Sequence, residues 1–184
     1  MVSSPWPVRV DGLLLREARE ADLSRLLAIR NGPGVNRFML STSVRPEVFR
    51  REWLAVGTSE TDFSCVAEAE GEVIAMGFLE IVDGSGQPGM PQGTQGVIGY
   101  IVEPRCTGQG FATSIARGLL ATAFDHLGLR RVTAGCFADN TASARVLERA
   151  GMRREQHGIQ DSWHAELGWV DGYTYGILAS EWRT

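Results

Sequence analysis

The chain has 184 residues, 43% apolar and 22% charged, with a formal net charge of −4. That is enough chain to bury a full core in one domain, with an ordinary globular composition. The acidic balance excludes a general nucleic-acid binder, and three scattered cysteines and three scattered histidines show no metal-ligand spacing, so no metal site is expected.

Residues 1–7 carry no periodicity and are expected to be partly ordered at best. Residues 8–16 read as a hairpin-like first strand, with Asp11-Gly12 as a turn signal. Leu23, Leu26, Leu27 and Ile29 recur at helical spacing over 21–30, and Asn31-Gly32-Pro33-Gly34 stops that helix. A further helical turn is expected over 35–40. Residues 46–56 form a second helix, with Pro46 suited to its first position and Val48, Phe49, Trp53 and Leu54 as its apolar face. Strands over 62–68 and 73–82 flank a tight turn at Glu70-Gly71.

Residues 83–96 are a long Gly/Pro-rich stretch, read as an extended and mobile hairpin connection. Residues 97–102 are apolar throughout, as a central strand requires. The pairs Phe111/Ala112, Ile115/Ala116, Leu119/Leu120 and Ala123/Phe124 repeat every four residues, the clearest helix signal in the chain, over 110–127. Gly128 ends that helix, and 130–137 is a strand. Asn140 caps a short helix that runs to Ala150, with Gly151 as its stop. Two β-like runs, 152–163 and 169–178, close the chain. The order is β-α-α-β-β-β-α-β-α-β-β with no internal repeat or linker, which reads as one α/β domain over 1–184 with a mixed sheet. The basic clusters at Arg45/Arg50/Arg51, Arg130/Arg131 and Arg153/Arg154 read as solvated faces. No leader or apolar run of about 18 residues is legible, so a cytoplasmic chain that does not engage a membrane is expected.

The functional signal is Arg105-Cys106-Thr107-Gly108-Gln109-Gly110-Phe111-Ala112-Thr113, a glycine-containing turn between a strand and a helix. A helix start offers unpaired N–H groups and the positive end of the macrodipole, and glycines let backbone approach a ligand. That is an anion site or a plain strand-to-helix turn. A triphosphate P-loop is excluded, because no Gly-Lys-Ser/Thr follows. A dinucleotide fingerprint lacks its third small residue at Thr113. It also lacks an acidic residue at a strand end, since Asp125 falls within the helix.

What remains is R/Q-x-x-G-x-G/A, matched by Arg105, Gly108 and Gly110. Before it stands Gly99-Tyr100-x-x-x-Pro104. After it come the long helix, Leu127-Gly128-Leu129-Arg130-Arg131-Val132, and Asp139-Asn140-x-x-Ser143-x-x-Val146-Leu147-Glu148-x-Ala150-Gly151-Met152. This ensemble, over about 96–156, resembles the GNAT superfamily of N-acetyltransferases, in particular the branch of ribosomal-protein N-terminal (alanine/serine) acetyltransferases. The resemblance implies a mixed, mostly antiparallel sheet of six to seven strands, splayed at an acyl-coenzyme A site, with about four helices on both faces. It implies acetyl-CoA as co-substrate, no metal, an amine acceptor and a possible homodimer.

Residue by residue, the resemblance implies that 105–113 wraps the coenzyme A pyrophosphate. Ile101 and Val102 would pair with the pantetheine arm, and Asn140 would reach it. Ser143 would protonate the departing thiolate. A helix cap and a small polar residue in a first helical turn explain Asn140 and Ser143 equally well. Cys106 reads as a small side chain in tight space. The general base departs from the pattern. Many relatives carry acids where Val97 and Ser114 stand here. Glu80, Glu103, Asp161 and Glu166 are candidates, and Glu80 leads because its strand should neighbour the key strand. The acceptor site is expected from 35–53 and 156–171, where Trp53, Trp163, Trp169, Asp161, Glu166 and Asp171 would suit a cationic amine. Two functions therefore stand: an acetyltransferase acting on a primary amine by direct attack in a ternary complex, or a non-catalytic acyl-CoA binder.

Overall fold

The computed structural model describes residues 4–182; of the expected loose start, residues 1–3 lie outside them and Ser4–Pro7 form no regular element. Val8–Val10 (β1) and Leu13–Arg16 (β2) make a two-residue hairpin. Asp11 and Gly12 both take positive φ, 45° and 83°, the backbone that such a turn demands. The single first strand read from the sequence is therefore two. Leu23–Arg30 (α1) and Pro46–Val56 (α2) follow, separated by a 3-10 turn at Val35–Phe38.

Then come Cys65–Ala69 (β3), Glu72–Val82 (β4) and Gln95–Val102 (β5), Phe111–Ala121 (α3) and Arg131–Phe137 (β6). Thr141–Arg149 (α4), Arg153–His164 (β7), Gly168–Leu178 (β8) and Ala179–Trp182 (α5) complete the fold. The eight strands form one sheet in the order β1-β2-β3-β4-β5-β6-β8-β7, and every pairing is antiparallel except β5 with β6. Among the described residues the sheet thus has eight strands rather than six to seven, with five α-helices rather than four.

Two differences from the expected boundaries have local causes. The helix read over 110–127 is α-helical only to Ala121, then widens into a π-turn in which Leu127 N–H donates to Thr122 O at 3.0 Å. The strand read from residue 62 begins at Cys65, because Asp62 Oδ1 accepts from Ser64 N–H at 2.9 Å and bends the chain there. The loop after β4 is two residues shorter than expected, and Gly93 N–H closes its neck on Asp83 Oδ1 at 2.8 Å.

The sheet buries both faces. On one, Leu13, Leu15, Leu79, Ile115, Leu119 and Leu120 pack with Leu147, Val132 and Tyr175, which seats α3 and α4. On the other, Leu26, Ile29, Phe49, Trp53, Val66, Met76 and Ile101 seat α1 and α2. Gly77 and Gly118 let backbone come close where α3 crosses the sheet. A Cβ on Gly77 would lie 3.0 Å from Cys65 Sγ, and one on Gly118 would lie 2.4 Å from Leu15 Cδ1. α3 is thereby drawn tightly onto the sheet, which sets the position of its N-terminus at the end of β5.

Candidate active site

β5 and β6 pair over only three residues each, Gln95–Val97 against Arg131–Thr133, and then part. A cleft of about 680 Å³ opens between them, a size suited to an extended organic ligand. It is walled by Ile98, Gly99, Tyr100, Ile101 and Val102 from β5 and by Ala134, Gly135 and Cys136 from β6. The ladder decides which backbone groups face it. Glu103 N–H donates to Ile74 O on β4 at 2.9 Å. Alternate residues along an antiparallel strand turn their polar groups to opposite sides. Ile101 therefore bonds toward Met76, its β4 partner, while Ile98, Tyr100 and Val102 turn their N–H and C=O groups to the open side. Val102 turns its backbone to the open side; Ile101, expected to do the same, lines the cleft with its backbone committed to β4, and Tyr100 turns outward instead.

The α3 N-terminus forms one end of the cleft. Gly108 and Gly110 hold positive φ, 79° and 87°, and no atom lies within 4 Å of a Cβ built on either, so the backbone is open on that side. The first helical bonds come from Thr113 and Ser114 N–H, both to Gly110 O. Phe111 and Ala112 N–H are thus left without intrahelical acceptors. Cys106, Thr107, Gly108, Gly110, Phe111, Ala112 and Thr113 all line the cleft; Arg105 and Gln109 do not. Arg105 turns instead to Glu103, at 2.6 Å, and to Glu72, and Gln109 Nε2 donates weakly to Arg105 O at 3.4 Å. Ser114, where relatives carry an acid, donates to Asp11 Oδ2 at 2.8 Å and ties α3 to the first hairpin.

Glu103 is the hub of that network, bonded also to Arg25 at 2.5 Å. Burial alone would raise its carboxyl, but Arg105 and Arg25 outweigh it and hold the group below its ordinary value of 4.5. A carboxylate with a depressed folded value stabilises fully above its unfolded value and loses that contribution as pH falls through the folded one. Glu103→Gln is therefore expected to lose part of the acid limb of the melting temperature, measured from about pH 6 to about pH 3. An ion-paired carboxylate of this kind is a clamp on the loop, not a proton acceptor.

α4 supplies the other wall. Asn140 Oδ1 accepts from Ser143 N–H at 3.2 Å, so it does cap the helix, and it also lines the cleft. Ser143 Oγ lies 2.9 Å from Tyr100 Oη. Burial pushes the Tyr100 hydroxyl up to about 12 against the opposing bond to Ser143, so it stays protonated at neutral pH. Cys136 lies in the same corner, its thiol raised by burial. Arg145 and Arg149, one turn apart on α4, are the charged residues of the lining.

Among the described residues no carboxylate lines the cleft. Glu80 is exposed on β4, two residues beyond Phe78, which does line it, and so shares its face. Asp161 and Glu166 are exposed on the β7–β8 hairpin. The expected acidic, aromatic acceptor wall is not formed. Trp53 is buried against Phe49 and Phe78, Trp163 and Trp169 meet edge to face at the exposed surface, and Asp171 binds His157. The aromatic and apolar side chains that do line the cleft from the expected segments are Val35, Phe38, Met39 and Leu40, joined by Phe78 of β4.

The family model for an acetyltransferase (GNAT) domain matches residues 12–153. The chain belongs to the GNAT acetyltransferase family. Among curated GNAT relatives, the uncharacterized N-acetyltransferase YnaD of Bacillus subtilis is 34% identical over 86 residues, 47% of this chain. The match spans half the length of YnaD. The fold is also that of the Vibrio cholerae spermidine N-acetyltransferase solved with CoA and spermine, with a TM-score of 0.81, 17% identity, and coverage of 94% of this chain and 99% of that one. It is equally that of the Vibrio fischeri ribosomal-protein-S5-alanine acetyltransferase, with a TM-score of 0.79, 17% identity, and coverage of 97% and 100%. One GNAT scaffold thus bears names for a polyamine and for a ribosomal protein, so scaffold alone does not select the acceptor.

Within this GNAT site, sequence reasoning missed Tyr100 as a partner of Ser143, and Arg145 and Arg149. The arginines were legible as a four-residue repeat on one helix face. Tyr100 was not, because its contact joins residues 43 apart in the chain.

Proposed function

We propose that the chain is an N-acetyltransferase that moves the acetyl group of acetyl-CoA to a primary amine within a ternary complex. The observation that carries this is the parting of β5 from β6 beside the N-terminus of α3, with Tyr100 and Ser143 hydroxyls at the parting. The free N–H groups of Phe111, Ala112 and the Gly108–Gly110 turn receive the pyrophosphate, with Arg145 and Arg149 adding positive charge. The outward N–H and C=O groups of Tyr100 and Val102 pair with the amides of the pantetheine arm. Asn140 offers its remaining amide N–H groups to the same arm.

The amine nitrogen attacks the thioester carbonyl carbon, and a β5 N–H on the open side receives the developing oxyanion. The C–S bond then breaks and the sulfur leaves as thiolate. Ser143 Oγ–H protonates it, refilled by Tyr100 Oη–H, which regains its proton from solvent. The amine proton leaves through water toward Glu80. Most of the acceleration comes from holding the two reactants together. Both cleft thiols, Cys106 and Cys136, are raised by burial and stay protonated, which supports direct attack over an acyl-cysteine.

The test is thiol release from acetyl-CoA across a panel of primary amines, with product mass confirming one added acetyl group. Turnover with any amine upholds the reading. Coenzyme A binding without turnover on any of them makes the chain a binder and overturns it. In active enzyme, Glu80→Gln is expected to lower kcat/KM about 10-fold and to remove its acid limb; an unchanged pH–rate profile excludes Glu80.

A further inference from the structure

The acceptor end of the cleft has a composition unlike that of a cation site. Segment 35–40 supplies Val35, Phe38, Met39 and Leu40, and β4 supplies Phe78. Each of these side chains is apolar. The segment is held in place from two sides. Arg30 Nη2 donates to Ser41 O at 2.5 Å, just past the segment's end. His164 Nδ1 accepts from Glu166 and Leu167 N–H, so its Nε2 carries the proton and donates to Arg37 O at 2.7 Å. The Phe38 ring meets His164 edge-on, with centroids 5.8 Å apart. The wall is therefore built before any acceptor arrives.

The charges on and behind this wall are positive. Arg30 is buried at 5% exposure, and the Arg37 guanidinium sits 5.3 Å from the Phe38 ring centroid. Arg145 and Arg149, the charged residues of the described cleft lining, are assigned above to the pyrophosphate and supply no anion at this wall. A diamine, polyamine or aminoglycoside would press a second ammonium against apolar side chains, with no carboxylate among the described lining residues to pair it directly. A charge held against apolar surface with no partner is disfavoured. The same wall favours the neutral form of the reacting amine, because desolvation disfavours the ammonium. That neutral form is the one that attacks, in a site with no carboxylate in its lining.

We infer that the acceptor is a small primary amine borne on an uncharged, apolar alkyl or aryl body, recognised by Phe38, Met39, Leu40 and Phe78. This rests on the acetyltransferase reading above. The probes are 2-phenylethylamine, spermidine and a short peptide with a free N-terminal alanine. Each is assayed for thiol release with acetyl-CoA, and coenzyme A binding is measured separately by calorimetry.

The expected result is a kcat/KM for 2-phenylethylamine at least about 10-fold above both others. Met39→Glu is expected to erase most of that preference against spermidine. Leu40→Glu is the second variant; Leu40 is 94% exposed, so its replacement leaves the fold intact, and it should lower the preference in the same direction. Equal or faster turnover of spermidine or of the peptide overturns the inference while upholding the acetyltransferase reading. A preference unchanged in both variants overturns the assignment of the wall. Coenzyme A binding with no turnover of any probe overturns the acetyltransferase reading, and this inference with it.

Discussion

Ser143→Ala is expected to lower kcat about 100-fold while leaving the affinity for coenzyme A within a few-fold of wild type. The argument is geometric. Asn140 caps α4 through the Ser143 N–H, not through its hydroxyl, so the helix start survives the substitution. What is lost is the hydroxyl that stands 2.9 Å from Tyr100 Oη, at the corner where Cys136 and the parted strands converge. A thiolate leaving without a proton raises the barrier in the breakdown step alone, so the loss falls on kcat. Tyr100→Phe should reproduce part of the loss, because it stops the refilling of Ser143. Pre-steady-state rates on both variants, set beside their coenzyme A affinities, measure this. An Ala variant with wild-type kcat returns Ser143 to a purely structural place in the first turn of α4.

Gly110→Val is expected to weaken coenzyme A binding about 10- to 100-fold. Gly110 is the residue just before α3, at φ 87°, a backbone region that a β-branched residue enters only with strain of about 1–3 kcal/mol. No atom lies within 4 Å of the position a Cβ would take, so nothing in the fold clashes. The strain is relieved by turning the loop, and that swings the Phe111 and Ala112 N–H groups away from the anion they would receive. Calorimetric titration with coenzyme A measures the affinity, and thermal unfolding shows whether the fold is kept. Affinity lost only together with the fold would mean the loop is structural.

The donor half of the site was legible in the sequence because its signals are local. Gly108 and Gly110 announce positive φ, Asn140 announces a cap, and the four-residue repeat of α3 fixes which end of the helix meets the loop. Val102 was legible as a cleft-lining residue, but Ile101 was not correctly placed. Its backbone is committed to β4 by an alternation that depends on register, which no short stretch of sequence states. Arg105 matches the family motif yet turns away from the cleft, because Glu72 at the start of β4 and Glu103 just past the end of β5 hold it.

In the acceptor half the segment 35–53 was legible, but the side chains singled out within it and within 156–171 were not the ones that line the cleft. Trp53, Trp163, Trp169, Asp161, Glu166 and Asp171 lie in the right segments, but burial and the strand alternation of the last hairpin send each elsewhere. Val35, Phe38, Met39 and Leu40, which do line it, fall in the expected segment, but their apolar side chains carried no signal that set them apart from a plain helical turn. The hairpin at Asp11-Gly12 shows the same limit in miniature. Its turn was recognised, while the count of strands depended on both short arms finding partners in the sheet.

Initial rates measured over a grid of acetyl-CoA and 2-phenylethylamine concentrations, or whichever amine the panel shows to be turned over, test direct attack in a ternary complex. Double-reciprocal lines that intersect are the predicted result, since amine and thioester must occupy the cleft together. Parallel lines, with an acetyl group recovered on Cys136 or Cys106 in the enzyme incubated with acetyl-CoA alone, would contradict it.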